Sequence, residues 1–171
     1  MLRFSKLKMK VSDFGGEFEL IKRISKNTEL FSDDVFVGIG DDAAVLKYNK
    51  NGYLLFTTDM LVENDHFSLK YCSAEQIGMK AIEVNVSDIA AMGGLPKHAL
   101  ISLALPKNIS LEFVDNLYKG FNKISKKYRV TIIGGNITHS KQIIINVAML
   151  GFVERKNLCL RKDAKINDLI C

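Results

Sequence analysis

Asn51-Gly52 falls between two runs of apolar, β-branched and aromatic residues, Ala43–Tyr48 and Tyr53–Thr58. Asn-Gly readily takes the left-handed conformations that a tight hairpin needs, so the two runs are predicted to pair as antiparallel strands. Val35–Ile39, Ala99–Leu105, Val130–Ile133 and Ile143–Val153 read as further strands, and Asp168–Cys171 begins another. Ser73 with Gln76 forms a capping box opening a helix that should run to about residue 92, where Gly93-Gly94 and Pro96 stop it. Ser110 can cap a second long helix, whose apolar positions Val114, Leu117, Phe121, Ile124 and Tyr128 recur at three- and four-residue steps up to Arg129. A shorter amphipathic helix is expected over Glu17–Lys26. The resulting order, β-β-β-α-β-α-β-β, is not a doubly wound alternation. It implies an α+β fold with a mixed or antiparallel sheet and two long helices on one face. Strands this apolar need cover on both faces, so the sheet is expected to close against a partner subunit in a homodimer.

The 171 residues are 47% hydrophobic and 25% charged, which excludes disorder, collagen-like repeats and a disulfide scaffold. The apolar stretches are too short to cross a bilayer as helices, so no membrane partner is expected. The net charge of +5 is spread as isolated lysines and reads as solvated surface rather than a nucleic-acid footprint. Residues 1–15 read as a basic tail, and residues 16–171 as one domain without an internal boundary. Cys72, Cys159 and Cys171 are odd in number, far apart and without C-x-x-C spacing, which favours reduced thiols in a cytoplasmic protein.

Four polar clusters stand at element ends: Gly38–Asp42, Thr57–Asp59, Asn85–Asp88 and Gly134–Asn136. Each alone is ordinary turn chemistry. Asp88 breaks that reading, because Ile77, Ala81 and Val84 step along one helix face and the next step places a carboxylate in a core-facing slot. Burying an unpaired charge is costly, and no arginine lies between Arg23 and Arg129 to pair with it locally. Asp59 shares a strand face with Tyr53, Leu55 and Thr57, with Thr58 on the other face. Asp41 and Asp42 repel each other unless something positive lies between them. Magnesium suits such an oxygen-only set, since it keeps several waters and bridges one or two carboxylates to nucleotide phosphates. No P-loop motif is present. Gly38–Ala43 satisfies the dinucleotide fingerprint formally, but NKNG ends the segment before a helix can form, and two aspartates would face the anion. Gly134-Gly135 allows a close backbone approach to a ligand or a tight turn. His66 beyond the Thr58–Glu63 stretch is a candidate substrate contact, and Tyr118 is first a core-facing residue that can also pack on a base.

Taken in order, GIGDDAAVL (38–46), TTDMLVENDHF (57–67), AIEVNVSDIAAMGGLP (81–96) and IGGN (133–136) resemble the thiamine-monophosphate kinase family, as do GEFELI (16–21) and LRKDAKINDLI (160–170). Its wider superfamily, which includes aminoimidazole ribonucleotide synthetase, selenophosphate synthetase and a hydrogenase maturation factor, uses ATP. The resemblance implies an N-terminal ATP-binding domain that dimerises sheet to sheet. It implies that Asp42, Thr57, Thr58, Asp59, Asp88 and Asn136 hold Mg2+ around ATP, that Tyr118, Gly135, Asn136 and Arg161 bind the nucleotide, and that His66 binds thiamine monophosphate. It assigns no catalytic side chain. Two departures stand out: Asn136 replaces the family's usual aspartate, and Asn64-Asp65 replaces a glycine and a small apolar residue before His66. Family members continue into a second domain, so this chain resembles the first half of the enzyme and, isolated, is expected to be inactive or weakly active. Another ATP-using synthetase of the superfamily and a non-catalytic nucleotide-binding dimerisation module are the alternatives.

Overall fold

The computed structural model describes residues 10–169, which fall in two compact units, 10–33 and 34–169. The first holds a 3-10 turn, Val11–Asp13, and helix α1, Glu17–Ser25. Glu17 and Glu19 in its first turn and Lys22 and Arg23 in its last complement the helix dipole. Asn27 Nδ2 and Thr28 Oγ1 donate to the free carbonyls of Arg23 and Ile24 and so close the C-terminal end.

The second unit is a six-stranded sheet with two helices. The strands are β1 (Val35–Val37), β2 (Ala44–Asn49), β3 (Gly52–Val62), β4 (Leu95–Leu105), β5 (Thr131–His139) and β6 (Ile144–Glu154), in the spatial order β1-β2-β3-β6-β4-β5. All neighbours are antiparallel except β4 and β5, which are joined through helix α3 (Leu111–Tyr128) and run parallel. The sheet is therefore mixed, as the element order implied. The hairpin forms where Asn51-Gly52 placed it, with Asn49 opposite Gly52 and the Asn49 side chain accepting from the Asn51 and Gly52 N–H groups.

Several strands run further than periodicity suggested. β3 continues past Thr58 to Val62 because β6 offers an unbroken ladder, from Gly52 opposite Glu154 to Val62 opposite Ile144. β4 starts at Leu95 and takes in Pro96 next to a register shift, where the missing N–H leaves no ladder bond unmade. β5 extends through Gly134-Gly135-Asn136, so that pair is neither a turn nor an element end. A Cβ at Gly135 would run into the Ile101 carbonyl of β4, and the glycine answers that close strand approach. β1 is shorter than Val35–Ile39. Asp168 and Leu169 form no strand, and the rest of the Asp168–Cys171 run lies outside the described residues.

Helix α2 (Ala74–Ala91) opens on the full Ser73–Gln76 capping box. It buries Ile77, Ala81, Ile82, Val86 and Ile89 against Leu55, Leu61, Ile101, Leu103, Ile145, Val147 and Met149 of the sheet. Helix α3 begins at Ser110, whose Oγ accepts from Phe113 N, and ends at Arg129 in a left-handed conformation (φ 57). α3 lies against α2 with backbones nearly touching: a Cβ at Gly78 would meet the Leu117 carbonyl, and one at Gly120 the Glu75 carbonyl. Both long helices thus sit on one face. The other face carries Phe56, Thr58 and Met60 of β3, Ala148 and Leu150 of β6, and Leu100 of β4, half-buried or exposed. No helix among the described residues is long and apolar enough to cross a membrane.

Candidate metal and nucleotide site

Three separate segments deliver oxygen atoms to one place at the edge of the α2-covered face. The first is the loop before β2, where Asp42 N–H donates to Asp41 Oδ1 at 3.0 Å and bends the chain so that Asp42 reaches β3. The second is β3, whose alternation turns Thr57 inward and Asp59 beside it. The third is the start of the last turn of α2, carrying Asp88. Thr57 Oγ1 lies 2.6 Å from Asp88 Oδ2 and 3.1 Å from the Asp42 carbonyl oxygen. A hydroxyl has one proton, and the shorter, charge-assisted contact takes it.

Asp88 is half-buried, and that burial is the main cause raising its carboxyl above its ordinary value. The Thr57 hydrogen bond works the other way by stabilising the carboxylate, while the charges of Asp59 and Asp42 push in the same direction as burial. The Arg161 charge also favours the carboxylate, from a distance, and no cationic side chain is in direct contact with Asp88 among the described residues.

The stripe that led to Asp88 needs correction. Val84 is only half-buried, and the buried row runs Ile77, Ala81, Ile82, Asn85, Val86 and Ile89, leaving Asp88 at its edge above Thr57. The pairing cation for the adjacent acids comes from far along the chain. The Arg161 guanidinium binds the Asp42 carboxylate, its Nε lies 4.0 Å from Asp41, and its backbone N–H donates to Asp41 Oδ2 at 3.2 Å. This is the positive charge that Asp41 and Asp42 required. Local sequence could not reveal it, because Arg161 is 119 residues from Asp42.

Asp42, Thr57, Asp59, Asp88 and Arg161 are therefore brought together, and the other sequence candidates lie elsewhere. Thr58 turns to the opposite face of β3 and donates to Asn146 Oδ1 at 3.2 Å. Asn146 stands opposite Ser102 of β4, which stands opposite Asn136 of β5, so a polar row crosses the helix-free face. Gly135 is the strand residue against Ile101. Tyr118 is partly buried on α3, edge to face with Phe121 at 5.1 Å. His66 lies in the loop after β3, with Nδ1 accepting from Val62 N–H at 3.1 Å.

Sequence reasoning named Asn85 only as a member of the Asn85–Asp88 cluster and gave it no role, and it missed Asn146. Asn85 is fully buried one turn before Asp88, donates Nδ2 to the Ala81 carbonyl at 3.1 Å, and leaves Oδ1 without a partner among the described residues. Its signal was present as a second polar side chain in the buried stripe. Asn146 gave none, since a single asparagine in an alternating strand is indistinguishable from a solvated one.

Among the described residues no three carboxylate, imidazole or thiol groups stand so placed that they could hold a metal ion by themselves. The donor set is an open one of hard oxygens around the Asp88 carboxylate. Such a set fits Mg2+ shared with phosphate oxygens and water, and does not fit a softer metal held by protein alone.

Residues 40–153 match the family model described as AIR synthase related protein, N-terminal domain. The match takes in more than half of the chain, which belongs to this family. Within it, the chain is 41% identical to the thiamine-monophosphate kinase of Bacillus subtilis (strain 168) over 155 residues, covering 90% of this chain and 47% of that protein. The thiamine-monophosphate kinase of Aquifex aeolicus (strain VF5) is 44% identical over 155 residues, again with 91% and 47% covered. A solved structure described as AaThiL complexed with AMPPCP and TMP superimposes with a TM-score of 0.77 at 42% identity, covering 87% of this chain and 45% of that one. A HypE-HypF complex shares the fold with a TM-score of 0.66 at 20% identity. The chain spans about half the length of the curated relatives it matches.

Proposed function

We propose that this chain supplies the ATP- and Mg2+-binding part of a thiamine-monophosphate kinase. The observation that carries the reading is the convergence of Asp42, Thr57, Asp59 and Asp88 from three segments onto one hydroxyl-bridged site. It is supported by kinases of that name at about 40% identity and by a solved relative holding AMPPCP, an ATP analogue, with TMP.

In the reaction, the bond between the γ-phosphorus of ATP and the bridging oxygen of ADP breaks, and a phosphate oxygen of thiamine monophosphate forms the new bond, giving thiamine diphosphate. Such transfer depends on in-line positioning and on neutralising charge on the phosphoryl oxygens. When bound, Mg2+ supplies much of that neutralisation. The carboxylates of Asp42, Asp59 and Asp88 would hold the ions, and Thr57 would orient Asp88 and favour its ionised form. Arg161, partly exposed, would turn from Asp42 to the nucleotide phosphates. Tyr118, Gly135 and Asn136 would complete the nucleotide side and His66 the acceptor side. Thr58 and Asn136, on the helix-free face, would act where a second copy closes over that face, making the protein a homodimer. With Cys72 and Cys159 both free thiols, the setting would be cytoplasmic. Residues 16–171 would serve as the ATP-binding domain and 1–15 as its basic tail.

The test offers the protein MgATP with thiamine monophosphate, with an aminoimidazole ribonucleotide precursor, or with selenide, and reads ADP and product. From this half-length chain only slow turnover or none is expected, and any product formed should be thiamine diphosphate alone. Turnover of another acceptor would assign the chain to a different branch.

A further inference from the structure

The loop joining β3 to α2 is pinned from two sides. Asn64 takes a left-handed conformation (φ 66), its N–H donates to Phe67 O at 2.7 Å, and His66 N–H donates to Val62 O at 2.9 Å. Toward the sheet, Glu63 Oε2 accepts from Ile143 N–H at 3.0 Å, and Gln142 Nε2 donates to Glu63 O at 2.9 Å. Toward α2, Lys80 Nζ donates to His66 O at 2.6 Å. This short, charge-assisted bond is the loop's hold on the helix that carries Asp88.

The bond also bears on the imidazole. His66 Nδ1 accepts from Val62 N–H, so in the neutral ring the proton sits on Nε2. The Asp65 carboxylate, 3.4 Å from the same Nδ1, can pair with it only after Nδ1 gains a proton and gives up that backbone bond. The ring is partly exposed.

Lys80 lines a shallow cleft of about 350 Å³ along α2 with Gln76, Met79, Glu83, Val84 and Ser87. The cleft begins beside the His66 loop and ends at Ser87, next to Asp88 in the chain. Lys80 and Asp88 are eight residues apart, about 12 Å along the helix axis.

We propose that Lys80 is a positioning residue of the acceptor site: by holding His66 O it fixes the loop that carries the imidazole beside the α2 cleft, where a phosphate monoester is received. Lysine suits the role because its ammonium has three N–H donors. One is spent on the loop carbonyl and two remain for an anion. The acceptor half of this inference rests on the kinase reading, whereas the hold on His66 does not.

The experiment compares the protein with its Lys80→Met and Lys80→Arg variants, neither of which disturbs buried packing because Lys80 is exposed. Imidazole 15N spectra, with His66→Asn assigning the signal among the three histidines, should show the Nε2–H tautomer in the unaltered protein and a mixture of tautomers in Lys80→Met. Calorimetry with thiamine monophosphate should show affinity falling about tenfold or more in Lys80→Met, the loss of one charge-assisted hydrogen bond. Binding of Mg2+-AMPPCP should stay within about twofold, and Lys80→Arg should recover both the tautomer and the acceptor affinity. A Lys80→Met protein that keeps the Nε2–H tautomer and the acceptor affinity would overturn the proposal. Failure of thiamine monophosphate to bind the unaltered protein while Mg2+-AMPPCP binds would overturn the acceptor cleft and leave the nucleotide reading standing, and the tautomer comparison still decides the hold on His66.

Discussion

Replacing Thr57 by valine isolates the bond at the centre of the candidate site, because valine keeps the shape and removes only the hydroxyl. Thr57 is 7% exposed, and its Oγ1 donates to Asp88 Oδ2 at 2.6 Å. A hydrogen bond to a charged group contributes roughly 1.5–3 kcal/mol. Asp88 is only half-buried and can recruit water in compensation, so the loss at neutral pH should fall near the lower end, about 1–2 kcal/mol. For a chain of this size that is a fall in Tm of roughly 3–6 °C. The pH dependence identifies the cause. Thr57 stabilises the ionised carboxylate, so its removal raises the Asp88 pKa further above an ordinary value that it already exceeds. The deficit of Thr57→Val is therefore fully present above the variant's raised pKa and shrinks as pH falls through the folded Asp88 pKa of the unaltered protein. That window lies above the ordinary carboxylate value. Thermal unfolding followed across that range, with Thr57→Ser retaining the hydroxyl as control, makes the measurement. A deficit unchanged at acid pH would mean that packing, not the carboxylate bond, is what valine disturbs; no deficit at neutral pH would refute the bond itself.

Asp59→Asn and Asp88→Asn should each weaken MgATP binding more than metal-free ATP binding, since carboxylates repel bare phosphate and attract it only through the ion; calorimetry finding MgATP affinity unchanged in both would remove the metal role. Gly120→Ala should destabilise by about 1–3 kcal/mol in urea titration, because its Cβ would collide with the Glu75 carbonyl and separate α2 from α3; an unchanged midpoint would show that the helices can move apart freely. Sedimentation should show a dimer that Met60→Lys, placed on the helix-free sheet face, converts to monomer; a strict monomer before substitution would leave that face without its proposed partner.

Legibility followed the range of the interactions involved. The hairpin, the Ser73 and Ser110 helix starts and the Arg129 helix end rest on hydrogen bonds within a few residues, and all appear where the sequence put them. Strand ends were less legible. The ends of β3 past Thr58 and of β5 through Gly134-Gly135-Asn136 were not legible locally, and only the neighbouring ladders of β6 and β4 make them strand.

The site divides along the same line. Sequence alone determined that Thr57 and Thr58 face opposite ways, since strand alternation is a property of the backbone. It also singled out Asp88, because a carboxylate among apolar helix positions is costly wherever the helix docks. Tertiary structure decided which candidates meet. It turned Thr57 onto Asp88 and brought Arg161 to Asp42, and it separated Thr58 and Asn136 onto the helix-free face. It hid Asn85 in the core beside them. The physical reason is that hydrogen bonds and ion pairs act over a few ångströms of space, whereas the residues making them here are separated by 31 and 119 positions of chain, which only the closed sheet and its helices bring to contact distance.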